Sequence, residues 1–110
     1  MASARWHQRF ENFEAALDLL GDALDSGQRR QLSMLEREGT IQRFEYSWEL
    51  AWKSMRDYLR DNGVAFGTAI PANVIRAAFE IGLIDDGDGW MAAREARNAL
   101  SHEYSRPMFD

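Results

Sequence analysis

The sequence predicts an all-α protein: an up-and-down helical bundle of the four-helix-bundle type, in one domain over residues 1–110. Three observations predict it. Apolar residues recur at three- and four-residue spacings through long stretches, the signature of helices that pack lengthwise. Helix start and stop chemistry falls between those stretches. Composition points the same way, since 110 residues hold only two prolines and eight glycines and are rich in Ala, Leu, Glu and Arg, unlike an all-β sandwich or a disordered tail. A chain of this length, 45% hydrophobic and 28% charged, is also too short for two independent cores.

In the first element Trp6, Phe10, Phe13, Leu17, Leu20 and Leu24 form one apolar seam, which places a helix from about Arg5 to Leu24. Asp25-Ser26-Gly27 then supplies turn chemistry. Ser33 with Glu36 three residues on reads as a capping box opening a second helix near Met34. Its apolar stripe runs through Ile41, Phe44, Trp48, Ala51 or Trp52, Met55 and Leu59 to a stop at Asn62-Gly63. A helix of that length, roughly 40 Å, is at home in a bundle.

Val64 to Ile70 reads as a loop, and Pro71 as the first residue of a short third helix. That helix carries Val74, Ile75, Ala78 and Phe79 and stops at Gly82, with Leu83 and Ile84 expected beneath it. The acidic run Asp85-Asp86-Gly87-Asp88-Gly89 lacks the ligand spacing and closing Glu of an EF-hand. Asp88 is instead expected to cap a fourth helix, from near Trp90 to about Tyr104, ended by Arg106-Pro107.

Composition bounds the function. Without cysteine there is no disulfide framework and no zinc-thiolate site, which makes a reducing cytoplasm the expected location. The charged N-terminus has no apolar h-region, and no run approaches the roughly 18 apolar residues of a membrane span, so no membrane is expected. A net charge of −5 disfavours a protein that coats nucleic acid by counterion release but leaves room for a local basic site. Lys53 is the single lysine beside twelve arginines. That bias suits bidentate recognition of phosphate or carboxylate, and a GC-rich genome explains it as well.

The fourth helix holds the informative chemistry. At about 100° per residue Trp90, Ala93, Arg97, Leu100 and Tyr104 share one narrow stripe, so Arg97 stands where an apolar residue belongs. A guanidinium there must be paired with a carboxylate, must snorkel its head out to solvent past a packed stem, or must face a shared, partly wet interface. Glu45 and Glu49, at the edge of the second helix's apolar stripe, are available carboxylates. His102 lies about 140° around the helix from Arg97 and roughly 7.5 Å along it. A joint site therefore needs long side chains, a local distortion, or a second copy of the chain across a two-fold axis. Such a set suits RNA: a neutral His takes the proton of a ribose 2′-hydroxyl, an imidazolium protonates the leaving oxygen, and Arg stabilises the charge growing on phosphate, without metal. The bland alternative for His102 is a solvated or capping residue near a helix end.

Other chemistries find no support. Neither His7 nor His102 has a Glu three positions before it, as a di-iron bundle requires, and no Gly-rich phosphate loop or nucleophile elbow is present. No metal or other cofactor is expected. Glu49 to Lys53 is a favourable i, i+4 pair, Trp48 and Trp52 read as core, and His7 reads as a surface residue.

With these residues in place, the chain resembles the HEPN superfamily, and within it the nucleotidyltransferase substrate-binding or HepT-like branch. The likeness runs through Arg5-Trp6 with Glu11-Asn12-Phe13, Leu35-Glu36-Arg37-Glu38-Gly39 with Ile41-Gln42-Arg43-Phe44-Glu45-Tyr46, Glu49-Leu50-Ala51-Trp52-Lys53, Val74-Ile75-Arg76 with Ala78-Phe79, and Arg97-Asn98 with Ser101-His102-Glu103-Tyr104. The last segment matches the family's signature.

The resemblance implies a homodimeric bundle that forms a complex with a minimal nucleotidyltransferase. In prokaryotic toxin-antitoxin members the signature Arg and His, here Arg97 and His102, serve a metal-independent endoribonuclease at the dimer cleft. The signature Tyr, here Tyr104, is the residue on which the partner places AMP. Asn98, Ser101 and Arg94 are implied as substrate-binding neighbours. In other members the protein only binds a nucleotide, a protein or a substrate for its partner. Family members continue past the signature Tyr with another amphipathic helix, whereas this sequence ends at Asp110. Part of the bundle's apolar surface is therefore expected to be open unless a dimer or complex covers it.

Overall fold

The computed structural model describes residues 3–105, with side chains over 6–100. It is all-helical: α1 (Ser3–Arg29), α2 (Met34–Asp61), α3 (Pro71–Glu80) and α4 (Gly87–Ser105), with no strand among the described residues. α1 and α2 form an antiparallel hairpin, tied from end to end by Arg9 on Asp57 and by Arg43 Nη1 donating to the Leu19 carbonyl at 2.8 Å. α3 packs on α2, and α4 packs on both α2 and α3.

The capping box holds as expected: the Glu36 N–H donates to Ser33 Oγ at 3.1 Å, and the Ser33 N–H donates to Glu36 Oε1 at 2.9 Å. Arg30 adds a two-pronged bond to the same carboxylate. That fork, together with the Ser33 donors, holds the Glu36 carboxyl down at about 2. At the other end of α2 the chain turns where expected, with Gly63 at φ 68°, a left-handed conformation that a β-carbon disfavours. Pro71 opens α3, and Gly82, at φ 78°, ends the turn that follows it.

Three boundaries or burials differ from the sequence reading. α1 does not turn at Asp25-Ser26-Gly27 but continues to Arg29, because Ser26 Oγ closes on the Asp22 carbonyl at 3.1 Å and the Arg30 N–H reaches the Ser26 carbonyl. The propensity cost of one helical glycine is only about 1 kcal/mol, against which these hydrogen bonds act. α4 is capped by Asp86, not Asp88: Asp86 Oδ1 accepts from the Gly89 N–H at 3.0 Å, which puts Asp88 in the first turn, where its charge suits the helix dipole. Phe79 and Leu83, expected inside, are exposed, while Ile84 does pack on the core.

The core lies where α2 meets α3. Trp48, Trp52, Met55 and Leu59 pack against Val74, Ile75, Ala77 and Ala78, and Trp90 and Ala93 of α4 close one side. α1 contributes Ala16 and Leu20, but Phe10, Leu17 and Leu24 of its seam are about half exposed. α1 and α4 do not touch among the described residues. Between them runs an open apolar groove of about 300 Å³, with Trp6, Phe10 and Phe13 on one wall, Met55 at its floor and Trp90 on the other wall.

Candidate functional site

The site grows from the α2–α4 crossing. α4 is an unbroken helix from Gly87 to Ser105, so the 3.6-residue period holds across Arg97, and Trp90, Ala93 and Arg97 of the stripe read from the sequence are turned to α2 and the core. Trp90 meets Trp48 ring to ring, with centroids 6.2 Å apart, and anchors the beginning of that face. Ala93 follows one turn later, and its small side chain leaves room for the long one after it. Arg97 is then half-buried, its head beside α2.

Its partner there is Glu49, one of the two carboxylates offered by the sequence: Arg97 Nη2 lies 3.7 Å from Glu49 Oε1. Glu49 Oε2 accepts from Trp52 Nε1 at 3.3 Å and forms an ion pair with Lys53 Nζ at 3.2 Å. Glu45, the other carboxylate, is half-buried one turn earlier. Arg97 Nε is buried and has no acceptor among the described residues, an unusual condition for a guanidinium donor. The aromatic floor is settled as core, with Trp48 5% and Trp52 8% exposed. Lys53 and Arg56 sit over the Trp52 ring, at 6.0 and 5.6 Å from its centroid.

Of the other sequence-derived candidates, Arg94 is half-buried one turn before Arg97, and Asn98 is exposed. Ser101, His102 and Tyr104 belong to the last turns of α4, and their side chains lie outside the described residues. Because the helix is continuous, positions 97 and 102 stand about 140° apart on it, whereas 97 and 104 share a face. The local distortion that would bring Arg97 and His102 together is not seen. His7 is exposed beside the Trp6 ring. Among the described residues no cluster of His and carboxylates is arranged to hold a metal ion.

Sequence reasoning missed one ionic feature. Asp57, 4% exposed, takes Arg9 Nη1 from α1 at 2.6 Å and Arg56 Nε at 3.1 Å, so a buried carboxylate locks the hairpin on which the site is built. The signal was present in Ser47, Leu50, Ser54 and Asp57, a second three-and-four stripe on α2. Its serines satisfy themselves on carbonyls four residues back, at 2.8 and 2.6 Å, and let α1 approach closely.

A family model described as nucleotidyltransferase substrate binding protein like matches residues 8–110. A relative from Haemophilus influenzae, described as probable ribonuclease HepT, is 35% identical over 74 residues, covering 62% of this chain and 49% of the relative. The chain thus spans about half the length of the curated relative it matches.

Proposed function

The chain belongs to the nucleotidyltransferase substrate-binding protein-like family of HEPN, HepT-like proteins, and from that premise we propose that it is the partner subunit of a minimal nucleotidyltransferase in a toxin-antitoxin type module, with a metal-independent endoribonuclease site at a homodimer cleft. The observation that supports it most is the half-buried Arg97 on a packing stripe, with a buried Nε–H that no acceptor among the described residues takes up. A residue kept there against packing preference is better explained by chemistry than by stability.

In this reading two copies of α4 face each other, and the 140° between Arg97 and His102 is overcome by pairing Arg97 of one protomer with His102 of its partner. His102 takes the proton from a ribose 2′-hydroxyl as the 2′-oxygen bonds to phosphorus. An imidazolium then gives a proton to the departing 5′-oxygen, leaving a cyclic phosphate and a free 5′-hydroxyl. Arg97 stabilises the additional negative charge on the phosphate oxygens. Arg94, Asn98 and Ser101 bind the substrate backbone, and AMP placed on Tyr104 by the nucleotidyltransferase silences the site by adding negative charge where RNA must enter. The module works in the cytoplasm; no helix among the described residues is long and apolar enough to cross a membrane.

A second reading is favoured by the open groove between α1 and α4: a non-catalytic module that binds a nucleotide or docks on the nucleotidyltransferase. Cleavage of a structured RNA in EDTA, wild type beside His102→Ala, separates the two, with mass spectrometry to establish that Tyr104 is unmodified. The ribonuclease reading requires cutting by wild type alone. A folded, unmodified dimer that cuts nothing leaves the binding module.

A further inference from the structure

We propose that Glu49 is the positioning residue for Arg97, a fixed carboxylate that sets where the guanidinium sits; the inference rests on Arg97 being the phosphate-facing residue of the site.

Three donors from two helices converge on Glu49. Trp52 Nε1, on a ring only 8% exposed, donates to Oε2 at 3.3 Å, and Lys53 Nζ reaches the same oxygen at 3.2 Å. Oε1 is left for Arg97 Nη2 at 3.7 Å. The carboxylate is therefore held by its own helix before it meets α4, one oxygen tied to α2 and the other offered across the crossing. An indole that is part of the core cannot swing away without disturbing Met55 and Leu59. Glu49 has the rigidity of the core even though its side chain is 36% exposed.

Arg97 shows the other half of the relation. Its Nε–H is covered and unpaired among the described residues, so the head is not placed to complete its own hydrogen bonds there. A 32% exposed arginine free to choose would turn that N–H to water. Glu49 is the group in contact that opposes such a rotation. Of the five guanidinium N–H groups it lies against the Nη2 end. A misplacement of about 1 Å at a group that stabilises a transition state costs up to about 100-fold in rate, which is what a fixed carboxylate prevents.

The test reads position and catalysis separately. In heteronuclear proton–nitrogen spectra the Arg97 Nε–H is identified by its loss in Arg97→Met, and wild type shows it apart from the exposed arginines and slow to exchange. Glu49→Gln, which keeps the size and an acceptor for Trp52, is expected to move it among the exposed arginines. The same variant is expected to lower kcat for RNA cleavage by about 30-fold with KM within about threefold. An unmoved resonance, or unaltered kcat in a protein that cleaves RNA, overturns the proposal. If wild type cleaves nothing, the ribonuclease reading fails and the resonance alone decides the role of Glu49. Lys53→Met removes one tether from the surface, and it should displace the same resonance to a lesser degree even if Glu49→Gln does not fold.

Discussion

α2 meets α3 and α4 in opposite ways. Against α3 the contact is dry: Leu59, Val74, Ile75 and Ala78 are fully buried, and branched and small side chains fill the space between the helices. Against α4 the stripe is interrupted by Arg97, held on Glu49, and the open groove to α1 lies alongside. The difference separates two duties on one helix. Cohesion is concentrated where α2 meets α3, which leaves the α4 crossing free to keep a charged residue that a core would reject.

The largest effect should come from breaking the dry side. Ile75→Ala is expected to cost about 3 kcal/mol, a fall in Tm of about 10–20 °C by circular dichroism. Asp57→Ala should cost about 2 kcal/mol, because it leaves Arg9 and Arg56 without their shared carboxylate and loosens α1 from α2; chemical denaturation measures it. Leu17→Ser, on the half-exposed seam of α1, should change the stability by less than about 0.5 kcal/mol in the same denaturation experiment. A loss from Leu17→Ser comparable with that of Ile75→Ala would erase the contrast between the closed and open faces.

The smallest effect lies at the hairpin tip. Glu36 is held at about 2 in the folded chain against an ordinary 4.5, so its contribution is complete above pH 4.5 and is lost as pH falls from there towards 2. Melts across that window should show a shallower acid decline in Glu36→Gln than in wild type.

Helix number, the capping box, the Asn62-Gly63 stop and the core face of α2 were legible because each rests on a local rule or a simple period. The end of α1 was not, since Asp25-Ser26-Gly27 carries turn chemistry, yet Ser26 closes on Asp22 and accepts from Arg30 in a continuing helix. The cap of α4 was misplaced by two residues because Asp86 and Asp88 are equivalent by type, and only the bond to Gly89 distinguishes them. At the site, the angular position of Arg97 and its candidate partner Glu49 were readable from helical geometry. The lock on Asp57 was not, because a stripe of serines and a carboxylate carries no hydrophobic signal. Nor could the groove be placed, because which helices touch is a tertiary fact.

The central claim is that Arg97 occupies a packing position for the sake of chemistry, and Arg97→Met tests it most directly when melting and RNA cleavage are measured on the same preparation. Methionine fills the stripe without a charge, and Glu49 keeps its Trp52 and Lys53 donors. The account predicts a Tm unchanged or raised by a few degrees together with loss of cleavage. A clear fall in Tm with cleavage intact would make Arg97 a structural ion-pair residue and contradict the account.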